Sequence, residues 1–160
     1  GCKIDIQDAN GVSCSVGNIG EIKLFKNGAW FPVKDLGSFD QDGYYFHHGR
    51  ADDVIISAGW TMSAVEIEDI LLKHTAVEEV AIIGVPDEER GQIVKAFIIT
   101  KSNEKTSLVK ELQAFTRERL SLHEYPRLIE FTDTLPKTPA GKVNRKALRE
   151  STNKDNKRDT

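Results

Sequence analysis

The chain has 160 residues, of which 39% are hydrophobic and 29% charged, and its formal net charge is -3. These values are typical of a globular protein with one ordinary domain, or one small domain plus part of another. A net negative charge gives no general attraction to nucleic acid or anionic membranes, and no apolar run approaches the roughly 20 residues of a membrane span. The N-terminus shows no signal-peptide pattern, so we expect a cytoplasmic setting.

The first fifty residues predict short antiparallel strands and no helix. Residues 3–7 alternate polar and apolar side chains, as a half-buried strand does. Residues 19–25 and 29–33 are two more strand candidates, joined by the tight-turn sequence Lys26-Asn-Gly28. An aromatic strand follows at residues 44–47. This set indicates a small β-barrel or a β-subdomain, and the start within a strand pattern favours a piece of a longer chain.

From about residue 52 the chain alternates strands and helices. Ser63 is a candidate N-cap, and Glu66 completes a capping box at the start of a helix that runs to about residue 73. The apolar stripe predicted for this helix consists of Val65, Ile67, Ile70 and Leu71. The other predicted elements are strands at residues 53–57, 77–85, 93–100 and 129–131, and a helix at residues 108–120 capped by Thr106 or Ser107. The fold class is therefore α+β: a small antiparallel β-subdomain, then a compact domain with a small sheet packed by helices.

The cysteines and histidines do not have the spacing of a metal-binding site. Cys2 and Cys14 lack zinc-site or CxxC spacing, and we expect both to be unreactive residues in a reducing compartment. His47 and His48 are adjacent, so in a strand their side chains point to opposite faces. We therefore predict no metal site.

Residues 135–149 combine a turn-prone segment with a short basic helix from about Asn144. Two prolines and a glycine place Lys142 in an irregular loop, and its compact ammonium suits phosphate or carboxylate oxygens. The stretch is not a phosphate-binding P-loop, because Pro136 and Val143 occupy positions where that pattern needs Gly and Ser or Thr. The alternative interpretation is a solvated basic tail.

Two further features allow a structural or a functional interpretation. Asp52 and Asp53 follow Arg50 at the boundary between the two parts, where they form either a solvated turn or an interdomain hinge. Trp60 follows Gly59 in a predicted loop, where it is either a packing residue or one wall of a ligand channel.

Seven stretches of the chain form a recognisable series. They are Asp35-Leu-Gly37, Asp40-Gln-Asp-Gly-Tyr44, Gly49-Arg-Ala-Asp-Asp-Val-Ile55, the segment from Gly59 to Glu66-Ile-Glu68, Gly84-Val-Pro-Asp87, Tyr125-Pro-Arg127 and Leu135-Pro-Lys-Thr-Pro-Ala-Gly-Lys142. Together and in this order they resemble the C-terminal third of an AMP-forming acyl-CoA synthetase of the adenylate-forming superfamily. The resemblance covers residues 1 to about 150. The resemblance implies that residues 1–51 end a large N-terminal domain and that residues 52–150 form a mobile C-terminal domain. We expect residues 151–160 to be a disordered tail.

The resemblance also implies a reaction and roles for single residues. In this family a carboxylate and ATP form acyl-AMP and pyrophosphate, and the thiol of CoA then takes the acyl group. Lys142 matches the lysine that stabilises charge during adenylation, and Asp35 and Arg50 match residues that contact the ribose. Asp52 matches the hinge about which the C-terminal domain rotates between the two steps.

The expected CoA site follows from the same resemblance. Ala58, Gly59 and Trp60 match the loop that lines the pantetheine channel after the rotation. By looser resemblance, Arg90 and Arg117 lie where basic residues meet the nucleotide part of CoA. The family binds Mg²⁺ and the acyl group through upstream residues, so we expect these 160 residues alone to have no ligase activity.

The chain departs from the family pattern at three places. Val33-Lys34 replaces the usual Thr-Gly before the ribose aspartate, and His123-Glu124 replaces the usual Tyr-Lys before Tyr125. The loop after Phe25 is also short for the family. Two alternatives remain: an enzyme that loads a carrier protein, and a non-enzymatic module that binds through its basic tail. The spacing from Pro136 to Lys142 also implies control by a lysine acetyltransferase.

Overall fold

The computed structural model describes residues 2–8 and 10–156, with side chains through residue 154. The chain divides between Asp52 and Asp53 into two compact units. The predicted α+β class is confirmed: among the described residues, the first unit is an antiparallel sheet, and the second contains two small sheets and three α-helices. No helix in the described part of the chain is long and apolar enough to cross a membrane.

The first unit is a four-stranded antiparallel meander in the order β1-β2-β3-β4. Its strands are β1 (Lys3–Gln7), β2 (Gly20–Lys26), β3 (Ala29–Phe39) and β4 (Tyr45–Arg50). The predicted tight turn between β2 and β3 is confirmed, since Asn27 and Gly28 have φ values of 52° and 81°. β3 is longer than the predicted strand because it continues through a register shift between Asp35 and Gly37.

The second unit begins within a single 3₁₀ turn, Ala51–Asp53. Its elements are β5 (Val54–Ser57), β6 (Trp60–Ser63), α1 (Ala64–Leu71), β7 (Glu79–Asp87), β8 (Gly91–Ile99), α2 (Lys105–Arg119), β9 (Leu128–Phe131) and α3 (Arg145–Asn156). β5 and β6 form a hairpin, whereas β7, β8 and β9 form a sheet in which β9 runs parallel to β8. Trp60 was predicted to lie in a loop, but it is the first residue of β6 and pairs with Ser57.

β7 lies between two apolar clusters. Val80 and Ile82 face a cluster that includes buried side chains of α1 and α2. Ala81 and Ile83 face the opposite cluster, to which Leu135 and Leu148 contribute. Burial on both faces explains why this strand is a continuous apolar run in the sequence. The basic segment at residues 135–149 therefore packs on the sheet through its apolar residues.

The helix starts confirm some predictions and correct others. The Oγ atom of Ser63 accepts a hydrogen bond from the backbone N–H of Glu66 at 3.3 Å, as an N-cap does. Val65, predicted in the apolar stripe of α1, is 42% exposed, and Ala64 is buried instead. The predicted caps of α2 were wrong, because this helix begins at Lys105 after Glu104, whose side chain makes no capping hydrogen bond.

The expectation of disorder from residue 151 was wrong as far as Asn156, where α3 ends. The side chain of Asn144 accepts a hydrogen bond from the N–H of Ala147 at 3.1 Å and so caps the helix start. Leu148 is buried against β7, and the hydroxyl groups of Ser151 and Thr152 donate to its carbonyl oxygen. Packing therefore extends a helix whose sequence is mostly polar. The rest of the predicted tail, residues 157–160, lies outside the described residues.

Truncation of Ile67 to alanine should lower the free energy of unfolding by about 3 kcal/mol, because this side chain is fully buried. Val65→Ala on the same helix is the matched control and should change it by less than about 0.5 kcal/mol. Urea unfolding of the 160-residue chain, followed by circular dichroism, measures both. Equal losses would contradict the assigned face of α1.

Candidate functional site

Two residues predicted to contact the ribose, Asp35 and Arg50, lie side by side on β3 and β4. They are register partners, and 3.4 Å separates an Arg50 guanidinium nitrogen from Oδ1 of Asp35. His47 Nε2 lies 3.8 Å from the other carboxylate oxygen. Oδ1 of Asp35 is buried and accepts no hydrogen bond from the described residues. Oδ1 therefore retains hydrogen-bonding capacity, although the Arg50 guanidinium is close to it.

The turn between β5 and β6, residues 57–60, holds the first part of the expected CoA loop. Ala58 and Gly59 have φ values of 49° and 81°, as in a two-residue hairpin turn of type I′. A left-handed conformation costs a non-glycine residue roughly 1–2 kcal/mol, so Ala58 is strained. The N–H of Ala58 donates to the carbonyl oxygen of Arg90 at 2.8 Å. This bond holds the turn, called here the Trp60 turn, against the connection between β7 and β8.

Aromatic and cationic side chains extend the surface from the Trp60 turn. The indole of Trp60 is stacked on the His123 imidazole, with ring centroids 4.6 Å apart and planes at 14°. Two residues later, the ring of Tyr125 lies 3.9 Å below the Arg117 guanidinium carbon. In the sequence, His123 was identifiable only as a departure from the family pattern. Its partner could not be inferred, because the two residues are far apart in the chain.

Lys142 lies in a tight hairpin rather than the predicted irregular loop. The N–H of Gly141 donates to the carbonyl oxygen of Thr138 at 2.8 Å. The N–H of Thr138 donates to the carbonyl oxygen of Lys142 at 2.7 Å. Lys137 and Val143 form an isolated antiparallel bridge. We call residues 137–143 the lysine hairpin. Within the described residues no carboxylate lies within ion-pair distance of the Lys142 ammonium, and this side chain is exposed.

Arg145, three residues beyond Lys142, forms a largely buried set of polar contacts. Its guanidinium lies 2.8 Å from Asp53 and 2.6 Å from Glu68, and its Nε donates to the carbonyl oxygen of Ile82 at 3.2 Å. The other oxygen of Glu68 accepts a hydrogen bond from the N–H of Ile82 at 2.8 Å. We call these four residues the Arg145 cluster. Its three charged side chains are 12–21% exposed.

Burial raises the pKa of Glu68, and the Ile82 N–H and the Arg145 guanidinium oppose this rise. The sequence did not reveal the cluster, since Arg145 falls within the short basic helix predicted from about Asn144 and Glu68 was given no role of its own. A signal was present. Glu68 lies next to Ile67 and three residues before Leu71, so it projects near the buried face of α1.

The lysine hairpin and the Trp60 turn lie at opposite ends of β7. Lys137 Nζ is 2.7 Å from a carboxylate oxygen of Glu79, the first residue of this strand. The Trp60 turn is hydrogen-bonded through Ala58 to Arg90, which lies three residues beyond the last residue of the strand, Asp87. The nine residues of β7 span roughly 27 Å. Asp53 is linked through Arg145 to Ile82, which lies between the two ends.

Comparison with known proteins places the chain in a family. Residues 66–142 match the AMP-binding enzyme C-terminal domain. The chain belongs to the adenylate-forming superfamily. It is 37% identical to the uncharacterized acyl-CoA ligase YtcI of Bacillus subtilis, with 93% of this chain and 32% of that protein aligned. It is 40% identical to the acetyl-coenzyme A synthetase of the same organism, over 78% of this chain and 22% of that protein.

A solved structure extends the similarity to most of the chain. It is o-succinylbenzoate CoA synthetase from Bacillus subtilis, in complex with an acyl-adenylate intermediate. The TM-score is 0.68 at 28% identity, and the match covers 92% of this chain and 34% of that one. The 160-residue chain thus spans about a third or less of the length of the relatives it matches.

Arg145→Ala should lower the free energy of unfolding by about 2–3 kcal/mol at neutral pH, because it leaves two partly buried carboxylates without their cation. Loss of the cation raises the pKa of Glu68 further. A carboxyl group with a raised folded-state pKa stabilises the fold at low pH, and that contribution is lost as the pH rises through the folded-state pKa. The deficit of the variant should therefore shrink on acidification.

Urea unfolding at several pH values between 5 and 8 measures this deficit. Lys146→Ala is the matched control. The Lys146 side chain is 81% exposed, and its ammonium lies 3.9 Å from Glu150 one helical turn later, an exposed ion pair that contributes little to stability. A deficit in Arg145→Ala that is independent of pH would contradict the assigned role of Glu68.

Proposed function

We propose that the chain is the C-terminal part of an ATP-dependent carboxylate–CoA ligase. In the first step a carboxylate oxygen attacks the α-phosphorus of ATP and pyrophosphate leaves. In the second, the thiol sulfur of CoA attacks the acyl carbon and AMP leaves. The observation that best supports this proposal is the exposed ammonium of Lys142, which lacks a carboxylate partner among the described residues although its backbone is fixed in a hairpin.

Lys142 has the chemistry that the first step needs. Negative charge develops on the attacking and leaving oxygens, and a cation delivered to them lowers the barrier most when it is not neutralised elsewhere. The hairpin backbone limits the conformational freedom of the approach, while the four-carbon side chain lets the ammonium adjust its position. Asp35 and Arg50 are proposed to hold the ribose hydroxyl groups. We assign no Mg²⁺ ligand to this chain.

The second step is assigned to the Trp60 turn, with Arg90 and Arg117 near the nucleotide part of CoA. The lysine hairpin and the Trp60 turn are held near opposite ends of a strand that spans roughly 27 Å, so they cannot occupy the same reaction centre at once. Rotation of the second unit about Asp52 would bring Lys142 first and the Trp60 turn afterwards. The distance between the two ends of β7 is what supports this alternation.

CoA is favoured over a carrier protein as the acyl acceptor, because the relatives reported above include CoA synthetases. A parent enzyme that transfers the acyl group only to a carrier protein would reverse this choice. A cytoplasmic setting is also part of the proposal.

Lys142→Ala should lower adenylation at least about 100-fold, the loss typical when one donor to a developing oxyanion is removed. Thioester formation from a supplied acyl-adenylate should stay within about 3-fold. The test protein is a fusion in which this chain replaces the corresponding C-terminal segment of Bacillus subtilis acetyl-coenzyme A synthetase, called here the chimeric ligase. Pyrophosphate exchange and acyl-CoA release report the two steps.

Two controls accompany this experiment. Lys146→Ala removes a neighbouring exposed lysine and should leave both steps unchanged. The 160-residue chain alone should show no pyrophosphate exchange. An equal loss of both steps in Lys142→Ala would argue against the proposed alternation.

Acetylation of Lys142 should act as the alanine substitution does, because it removes the charge of an exposed ammonium. A lysine acetyltransferase is the proposed partner. The chimeric ligase carrying acetyl-lysine at position 142, checked by intact mass, should lose adenylation to a similar degree and regain it on deacetylation. Full pyrophosphate exchange by the acetylated protein would refute this regulation.

A further inference from the structure

Three kinds of contact hold the lysine hairpin on β7, and they differ in how strongly they fix its orientation. The ion pair of Lys137 with Glu79 is exposed, and exposed pairs fix a geometry weakly. Leu135 and Val143 pack in an apolar cluster, which holds the hairpin close without fixing its direction. Arg145 adds planar, charge-assisted hydrogen bonds in a largely buried place, and these are the most directional of the three.

The same guanidinium also binds the start of the second unit. Asp53, its partner at 2.8 Å, is the first residue of that unit and follows the proposed hinge residue Asp52. Glu68 and the carbonyl oxygen of Ile82 accept from the same side chain. One side chain therefore links the hinge end of the unit and the base of the lysine hairpin to the middle of β7.

We propose that Arg145 is a positioning residue for Lys142: its guanidinium fixes the direction in which the lysine hairpin leaves the sheet relative to the hinge. This inference rests on the function proposed above. Arg145 acts through Lys142 and does not touch the substrates. The role needs a planar fork of donors, because three acceptors from different elements are bound at once.

Arg145→Lys is the decisive variant, because it keeps the positive charge between the two acids but loses the fork. A misplacement of about 1 Å can cost a catalysed step about 100-fold. In the chimeric ligase, adenylation should fall about 10- to 100-fold, while thioester formation from supplied acyl-adenylate stays within about 3-fold. A purely structural role would lower both steps by similar factors, and that result would overturn the proposal.

The double variant shows whether Arg145 acts through Lys142. In a Lys142→Ala background, Arg145→Lys should lower adenylation by less than about 3-fold more, because no ammonium remains to be positioned. A full additional loss would overturn the proposal. Glu68→Gln, with the exposed Glu66→Gln as its control, is a second way to weaken the cluster and should also impair adenylation selectively.

A measurement without catalysis uses the 160-residue chain itself. At the base of the hairpin, the N–H of Asn144 donates to the carbonyl oxygen of Pro136. At its tip, the N–H of Gly141 donates to the carbonyl oxygen of Thr138. In Arg145→Lys, amide hydrogen exchange at Asn144 should accelerate about 10-fold and that at Gly141 less than about 2-fold. Unchanged exchange at Asn144 would overturn the proposal.

The two proposals fail in different ways. Unimpaired adenylation in Lys142→Ala would remove the proposed function itself. A strong loss in Lys142→Ala together with unimpaired adenylation in Arg145→Lys would remove only the positioning role.

Discussion

The second unit depends on one guanidinium that is shared by three acceptors. Arg145 lies 92 residues from Asp53 and 77 residues from Glu68 in the chain, yet it contacts both and also the backbone of β7. The contacts join the start of the unit, α1, β7 and α3. Because the lysine hairpin ends just before Arg145, the place of Lys142 relative to the sheet follows from where this guanidinium binds.

A buried ion pair is an inefficient way to stabilise a fold, since the loss of solvation offsets most of the attraction between the charges. The raised pKa of Glu68 expresses this loss, because burial outweighs the effect of the cation. The apolar clusters on both faces of β7 already hold the helices and the hairpin against the sheet. The charged hydrogen bonds of Arg145 add a defined orientation of the lysine hairpin, because apolar contacts depend little on direction.

The sequence predicted those parts of the structure whose causes are local. β1, the Asn27-Gly28 turn and the Ser63 cap depend on neighbouring residues, and all three agree with the structure. Contacts between distant segments were beyond such reasoning. The stack of Trp60 on His123 and the pairing of Arg145 with Asp53 need the fold before they can be seen. The family motifs named the candidate site residues but gave no distances between them.

Burial of β7 on both faces bears on the proposed rotation. A strand buried on both faces resists bending, so in the proposed cycle the lysine hairpin and the Trp60 turn would keep their separation while the unit rotates. In the proposed cycle the hinge residue Asp52 lies next to Asp53, which Arg145 links to a point between the two ends. A rotation about a point near the middle of β7 would move the two ends of this strand in opposite directions. Withdrawal of the ammonium and arrival of the Trp60 turn would then be one motion, and no separate device would be needed to coordinate them.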